Sequence, residues 1–512
     1  MNKIVFSLCI IFSSIYSAPV ADSPALLKCN SKTPGQYNWT FITSYVAEVN
    51  DKFLLASFEG RCFGKIYPSI VETDKFFEIT LYATEARSWS CVEAVIVSTG
   101  KTSKLKFMAL QGHYKVSMDK YYMSEHEMAY IRKHGVKVMK TCSDLSSYPK
   151  ELFSFLKMFL GGFGTNPKIP FFGSKTMDYQ IDANIKLLND YLGYKVEKRA
   201  EIIDVNIDKN KIKSGDFLGL TRMDGLDQFI NVASGSRLGH TTIAMWDKTD
   251  GELYVTESQA GWYWPRDGIQ RNKWENWIKW VKNADMNVVL IPMKEEARKN
   301  FDIDKAWKRY YELEGYDYGF HNFLFSSVDT PYHSLPNILD VNFVTLVFSL
   351  IEKFSPITTD TIIGEALNKR LGTQNLRIPE LMEVMYEKDT NIEEVMAIVE
   401  REEWIYSNGP NYVCSCYVFT ILKASGVFGD IDFHSQEQSP KDLYSMDIWD
   451  FSGENIPSEC EEDTTKHNLK ICQLYGKLVL RLDDNPGYLK AYNNMGETCP
   501  SIGPDFKRTP GC

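Results

Sequence analysis

A cysteine that opens an apolar helix is the first group in this chain equipped for chemistry. In the stretch from Asn411 to Gly426, apolar residues recur at Val413, Tyr417, Val418, Ile421 and Leu422, the spacing of one helix face. Gly426 suits a left-handed cap, and Asn408-Gly409-Pro410 reads as a turn, so the helix is expected to begin near Cys414. A thiol at that end meets the positive pole of the helix dipole, which favours thiolate and hence a nucleophile. A buried structural cysteine would satisfy the same pattern.

A histidine and a carboxylate occur together in one hairpin. Gly239-His240 heads a strand that runs to Trp246, Asp247 to Gly251 is the turn, and Glu252 to Ser258 returns. His240 and Glu257 are 17 residues apart with the turn near the middle, which brings them together across the pair. A carboxylate beside imidazole fixes its tautomer and supports its protonated form. An ordinary cross-strand polar pair is the plainer reading of the same two residues. Trp262, Tyr263, Trp264 and Arg266 follow closely, and read either as an aromatic rim with one cation for a carboxylate or phosphate, or as packed core. Tyr412 and Tyr318 are candidate hydrogen-bond donors nearby.

The elements that must position these groups sit in a long, mildly acidic chain. Its 512 residues imply more than one domain, and 44% hydrophobic and 13% aromatic residues suffice for a packed core. A net charge of −10 without a basic block argues against a nucleic-acid binder. Residues 1–17 have the form of a secretory signal, with Lys3, an apolar run from Ile4 to about Ile15, and cleavage at Ser17-Ala18 or near Ala21. That run is too short to span a bilayer, and Val341 to Ile351 is also short and reads as a buried helix, so no stable membrane span is expected. Asn38-Trp39-Thr40 is a glycosylation sequon if the signal operates.

The eleven cysteines divide by position. Cys9 belongs to the signal; Cys29, Cys62, Cys91 and Cys142 lie in the first 150 residues, and Cys460, Cys472, Cys499 and Cys512 in the last 60. Two even sets suit disulfides in an oxidising compartment, with connectivity open. A zinc knuckle at the carboxyl end is disfavoured by the lack of a close Cys-x-x-Cys pair, and no metal or cofactor is called for elsewhere. Cys414 and Cys416 remain, too close on one helix to bridge each other.

In chain order, 22–145 reads as a β-rich accessory domain, with runs at Phe53–Phe58, Phe76–Ala83, Val92–Val97 and Leu105–Leu110, and a capped helix from Ser124 to before Gly135. Its histidines, His113, His126 and His134, lack metal-like spacing. Residues 146–209 read as a helical connector, 210–455 as the site-bearing domain with a helical insertion at about 334–404, and 456–512 as a cysteine-rich extension.

Together the pieces resemble the circularly permuted papain-like thiol hydrolases of the NlpC-like superfamily, in particular the YaeF/YiiX branch. The resemblance rests on Gly215-Asp216, His240, Glu257, Cys414-Ser415-Cys416-Tyr417-Val418 and Gly426, in that order. Weaker matches are Gly315-Tyr316-Asp317-Tyr318 with Asn322-Phe323, and Ser439-Pro440-Lys441-Asp442-Leu443. It covers about 210–450 and departs from the family at Cys416, where an acid or glycine is usual. It implies an α+β fold in which Cys414 is the nucleophile, His240 the base and later acid, and Glu257 the orienter, without a cofactor. Position in the motif favours Cys414 over Cys416, and residues two apart on a helix point about 200° apart, so only one can face His240. The implied function is a secreted or lysosomal amidase or peptidase acting on peptide or cell-wall-like amides. Lipid acyl hydrolysis or transfer is the alternative, weakened because the Asn-Cys-Glu-His motif of the lecithin:retinol acyltransferase type is missing. A non-catalytic binding protein on the same fold is the third reading.

Overall fold

The computed structural model describes residues 43–49, 57–141, 176–192, 196–234, 236–260, 266–326, 341–396, 398–482 and 489–493. The proposed signal, Asn38, Cys29, Cys142, Cys499, Cys512, Trp262 and Trp264 lie outside these residues. The chain is mixed α+β and divides into two compact units.

The first unit comprises Met1–Leu156 with Pro336–Ile398 and Lys507–Gly511. Its strands are β1 (Thr43–Val49), β2 (Phe63–Glu72), β3 (Phe76–Ala86), β4 (Glu93–Ser98), β5 (Ser103–Met108), β6 (Gly112–Asp119) and β7 (Val136–Thr141). They form two antiparallel sheets, β1-β7-β4-β5 and β2-β3-β6. Alternation makes one face of each apolar: Phe77, Ile79, Leu81 and Ala83 of β3 share a buried cluster with Val95 and Val97 of β4 and Val136 and Val138 of β7. A Cys62–Cys91 disulfide borders that core. Ser124 caps the Glu125–His134 helix by accepting from the Glu127 N–H at 3.0 Å, and Gly135 ends it at φ 76°. The Glu127 carboxylate does not complete a capping box; it accepts from the Thr99 hydroxyl at 2.6 Å instead.

The helical segment that interrupts the site-bearing sequence packs in this first unit. The Ile378–Glu387 helix presents Leu381, Met382, Met385 and Tyr386 as a buried stripe, and the Tyr386 ring lies 4.8 Å from that of Tyr130. Tyr386 donates its hydroxyl to the Thr99 carbonyl, and Lys101 pairs with Glu383 at 2.7 Å. The sequence marks this segment as a helical insertion but not which surface would cover it.

The second unit comprises Lys157–Leu335 with Val399–Phe506 and Cys512. Its strands are β8 (Glu197–Asp204), β9 (Phe217–Thr221), β10 (His240–Trp246), β11 (Leu253–Gln259), β12 (Gly268–Lys273), β13 (Asn287–Ile291) and β14 (Cys472–Val479). They form one antiparallel sheet in the order β12-β11-β10-β9-β13-β14-β8. The carboxyl-terminal region is therefore not only an appended extension: β14 lies inside the sheet, between β13 and β8, with Leu474, Leu478 and Val479 buried. Likewise β8, from the expected connector, closes the edge of this sheet. Cys460 and Cys472 form a disulfide at the start of β14, which removes both from any zinc site. Among the described residues, no helix is long and apolar enough to cross a membrane.

Candidate functional site

The Cys414–Ser425 helix starts and stops where its sequence requires. Gly409 turns the chain at φ 104°, Val413 is extended, and Gly426 caps the end in the left-handed region at φ 89°. All of its residues except Lys423 and Ala424 are buried, against β10, β11 and the Ile303–Leu313 helix. Burying Val418, Ile421 and Leu422 contributes about 1.5–3 kcal/mol apiece, so packing holds the helix on the strands that carry His240 and Glu257.

The residues just before the cysteine are fastened separately. The Ser258 hydroxyl on β11 donates to the Tyr412 carbonyl at 2.7 Å, and the Gly319 N–H donates to the same oxygen at 3.2 Å. A Cβ on Gly319 would lie 2.6 Å from Tyr412 backbone atoms, so only glycine permits that approach. The Asn411 side chain accepts from the His321 N–H at 2.9 Å. The helix start is thus tied to the strand that bears Glu257.

β10 and β11 pair with Ile243 opposite Thr256. Extending that register sets Glu257 opposite Thr242, diagonal to His240 on the same face. His240 Nε2 and Glu257 Oε2 lie 2.9 Å apart, with His240 3% exposed and Glu257 wholly buried. The hairpin reading holds in detail. The imidazole also lies close enough to the Cys414 sulfur for each to shift the other's pKa. The three residues expected to act together are brought together.

Their electrostatics are those of an ion pair. Burial by itself lowers the His240 pKa, but hydrogen bonds and charge attraction from Cys414 and Glu257 outweigh it and push the value up to about 10. Burial pushes the Cys414 thiol up; the hydrogen bond and charge of His240, aided by the Thr241 side chain and peptide group, outweigh this and leave it below the ordinary thiol value. Cys416 behaves oppositely. Burial, and then repulsion from Cys414, raise its pKa well above normal. Its sulfur faces the Gln436 carbonyl at 3.2 Å and the Gln438 carbonyl at 3.5 Å. Cys416 is a packed thiol; Cys414 faces the histidine.

Other expected residues fall differently. The Tyr412 hydroxyl accepts from Arg309 at 2.8 Å and the residue is 1% exposed, so it is committed to the protein's interior. Arg266 directs its guanidinium at the Arg271 carbonyl (3.1 Å) and Asn272 Oδ1 (3.0 Å) rather than standing as a free cation. Asp216 is structural: it accepts from the Lys213 and Met293 N–H groups and pairs with Arg298. Tyr318 is 5% exposed; burial and then the negative charge of Cys414 push its hydroxyl pKa well up.

Sequence reasoning missed Thr241 and Asn272. Thr241 neighbours His240, but a threonine in a strand carries no signal of its own. Asn272 reaches the site from β12, donating to Glu257 Oε1 at 3.1 Å. Only the register of β11 with β12, Glu257 opposite Gln270 and Val255 opposite Asn272, brings it there.

Comparison with protein-family models, with curated proteins and with solved structures finds no match.

Proposed function

We propose that this chain is a cysteine hydrolase of the circularly permuted papain-like (NlpC-like) type, acting on amide bonds through an acyl-enzyme on Cys414. One observation carries the reading: a thiol at a helix start, beside and held below its ordinary pKa by a histidine whose Nε2 meets a buried carboxylate. Two adjacent thiols on one helix differ in that respect, and only the one facing His240 is activated.

The steps follow from those placements. The Cys414 thiolate attacks the carbonyl carbon, and negative charge passes to the carbonyl oxygen. Peptide N–H groups at the helix start would bind that oxyanion, and we assign the hydroxyl of Tyr318, whose backbone bridges to Tyr412 just ahead of the cysteine, as a side-chain donor. The His240 imidazolium gives its proton to the leaving nitrogen, whose departure leaves a thioester. His240 then takes a proton from water, which attacks the thioester and frees Cys414. Glu257 keeps the imidazole oriented throughout. Disulfides at Cys62–Cys91 and Cys460–Cys472 fit a secreted or lysosomal setting, as does the signal-like start of the sequence.

The test is a panel of acyl-amide and acyl-ester probes read by intact mass and peptide mapping. An acyl adduct on Cys414 with turnover of amides is the expected result. Turnover of long-chain esters alone would move the substrate to lipids, and no adduct with either class would overturn the hydrolase reading. Tyr318→Phe should lower kcat by on the order of 10²-fold with little change in KM. An unchanged kcat would remove Tyr318 from the oxyanion site.

A further inference from the structure

The orienting carboxylate is itself oriented. Glu257 Oε2 meets His240 at 2.9 Å, and Glu257 Oε1 accepts from Asn272 Nδ2 at 3.1 Å. Asn272 is 4% exposed and all sides of its amide are engaged. Nδ2 also donates to Gln270 Oε1 at 3.3 Å, and Oδ1 accepts from Arg266 Nη2 at 3.0 Å. Gln270 is held in turn, its Nε2 donating to the Arg266 carbonyl at 3.1 Å and the Gly268 carbonyl at 3.3 Å.

The order of donors and acceptors gives this chain of contacts a direction. A primary amide can turn over and exchange its oxygen for its nitrogen at little cost. Guanidinium is donor-only and carboxylate acceptor-only. An amide between them has one satisfactory orientation, with oxygen toward arginine and nitrogen toward the carboxylate. Arg266 thereby fixes which end of Asn272 faces Glu257. Asn272 occupies one carboxylate oxygen and leaves the other for the histidine.

We propose that Arg266 and Asn272 form a positioning relay that holds Glu257 against His240, so that Arg266 acts on the nucleophile through three intervening side chains rather than on substrate. The relay rests on the hydrolase reading of the same site. Neither residue touches the reacting atoms; both are positioning residues. The relay also explains why a guanidinium on an exposed residue is turned inward along β12. Without the Asn272 donor, Glu257 Oε1 loses a hydrogen bond and the carboxylate is less firmly oriented toward His240. Its support for imidazolium weakens, and so does the support imidazolium gives to thiolate. Among the described residues, the other titratable groups facing this cluster include Asp227 toward His240, Tyr417 toward Glu257, and Tyr318 and Cys416 toward Cys414, and all four are unaltered by the substitutions below.

The experiment is the pH dependence of iodoacetamide alkylation mapped to Cys414 in full-length wild type, Asn272→Ala, Arg266→Ala and the double variant, each checked for an unchanged Tm. In wild type the rate levels off at a pH below that of an ordinary thiol. Asn272→Ala should move that levelling point up by about half a unit to one unit, and Arg266→Ala by less in the same direction. Arg266→Ala added to Asn272→Ala should change nothing further, because the two act in series. A side chain that merely stabilises the fold would not give that non-additivity. Absence of levelling in wild type sinks the hydrolase reading and the relay with it. Levelling in wild type with both single variants superimposed on it sinks the relay alone. If Asn272→Ala fails to fold, Arg266→Ala on the exposed side decides.

Discussion

Replacing His240 with alanine should lower turnover by about 10²- to 10⁴-fold, the usual contribution of a positioned acid–base group. The same change should restore an ordinary pH dependence to Cys414 alkylation. In the folded protein the His240 pKa is raised above its unfolded value, to about 10. The imidazolium is therefore fully held below the unfolded value of about 6.5 and surrendered as pH rises through the folded one. The Cys414 thiol is depressed, so its charge is held above its own lowered value and lost as pH falls through it. The ion pair occupies the window between those two limits, which opens below the ordinary thiol value. Without His240, burial dominates and the thiol returns to or above its ordinary value. At pH 6 less than about 1% of such a thiol is ionised. A depressed thiolate is also intrinsically less nucleophilic, which offsets part of the gain, so the alkylation rate at pH 6 should fall by on the order of 10- to 100-fold. Rates for His240→Ala that match wild type at pH 6 would remove the histidine as activating group.

The second large effect separates the two thiols. Cys414→Ser should abolish turnover, by on the order of 10³-fold or more, because a serine hydroxyl stays un-ionised where the thiol is a thiolate. Cys416→Ser should leave kcat within a few-fold. Serine can still donate toward the Gln436 and Gln438 carbonyls, and the shorter side chain costs about 1 kcal/mol of stability. Activity and Tm together decide the point. Lost turnover in Cys416→Ser at unchanged Tm, with Cys414→Ser active, would reverse the assignment.

The parts of the site visible in the sequence were those encoded locally. The cysteine helix is bracketed by a turn at Asn408-Gly409-Pro410 and a glycine at 426, and His240 and Glu257 belong to one hairpin whose length fixes their meeting. Asn272 was invisible because its place depends on how β12 pairs with β11 beyond a loop, and an asparagine in a strand resembles any polar residue on an outer face. Arg266 beside two tryptophans read as either a substrate cation or part of a packed loop, since nothing local reveals an acceptor six residues away. The fold shows the same limit. β14 joins β13 across 180 residues of chain, and its neighbouring Gly, Pro and Asn content concealed a strand inside the sheet. The Ile378–Glu387 stripe was legible as helix, while its partner, the Glu125–His134 helix, lies more than 200 positions earlier. Cysteine counts allowed disulfides in each terminal set; only spatial placement joined Cys62 with Cys91 and Cys460 with Cys472.

The central claim is that His240 holds Cys414 as a thiolate below the pH at which an ordinary thiol ionises. Its most direct test is the rate of iodoacetamide labelling of the native protein across pH 5 to 9, with the modified residue located by peptide mapping and the unfolded chain as control. The account predicts label on Cys414, Cys416 unmodified, and a rate that levels off at a lower pH than that of the unfolded thiols, which still gain about tenfold per pH unit there. A native Cys414 that climbs tenfold per unit like the unfolded chain, or label that falls on Cys416 instead, would contradict it.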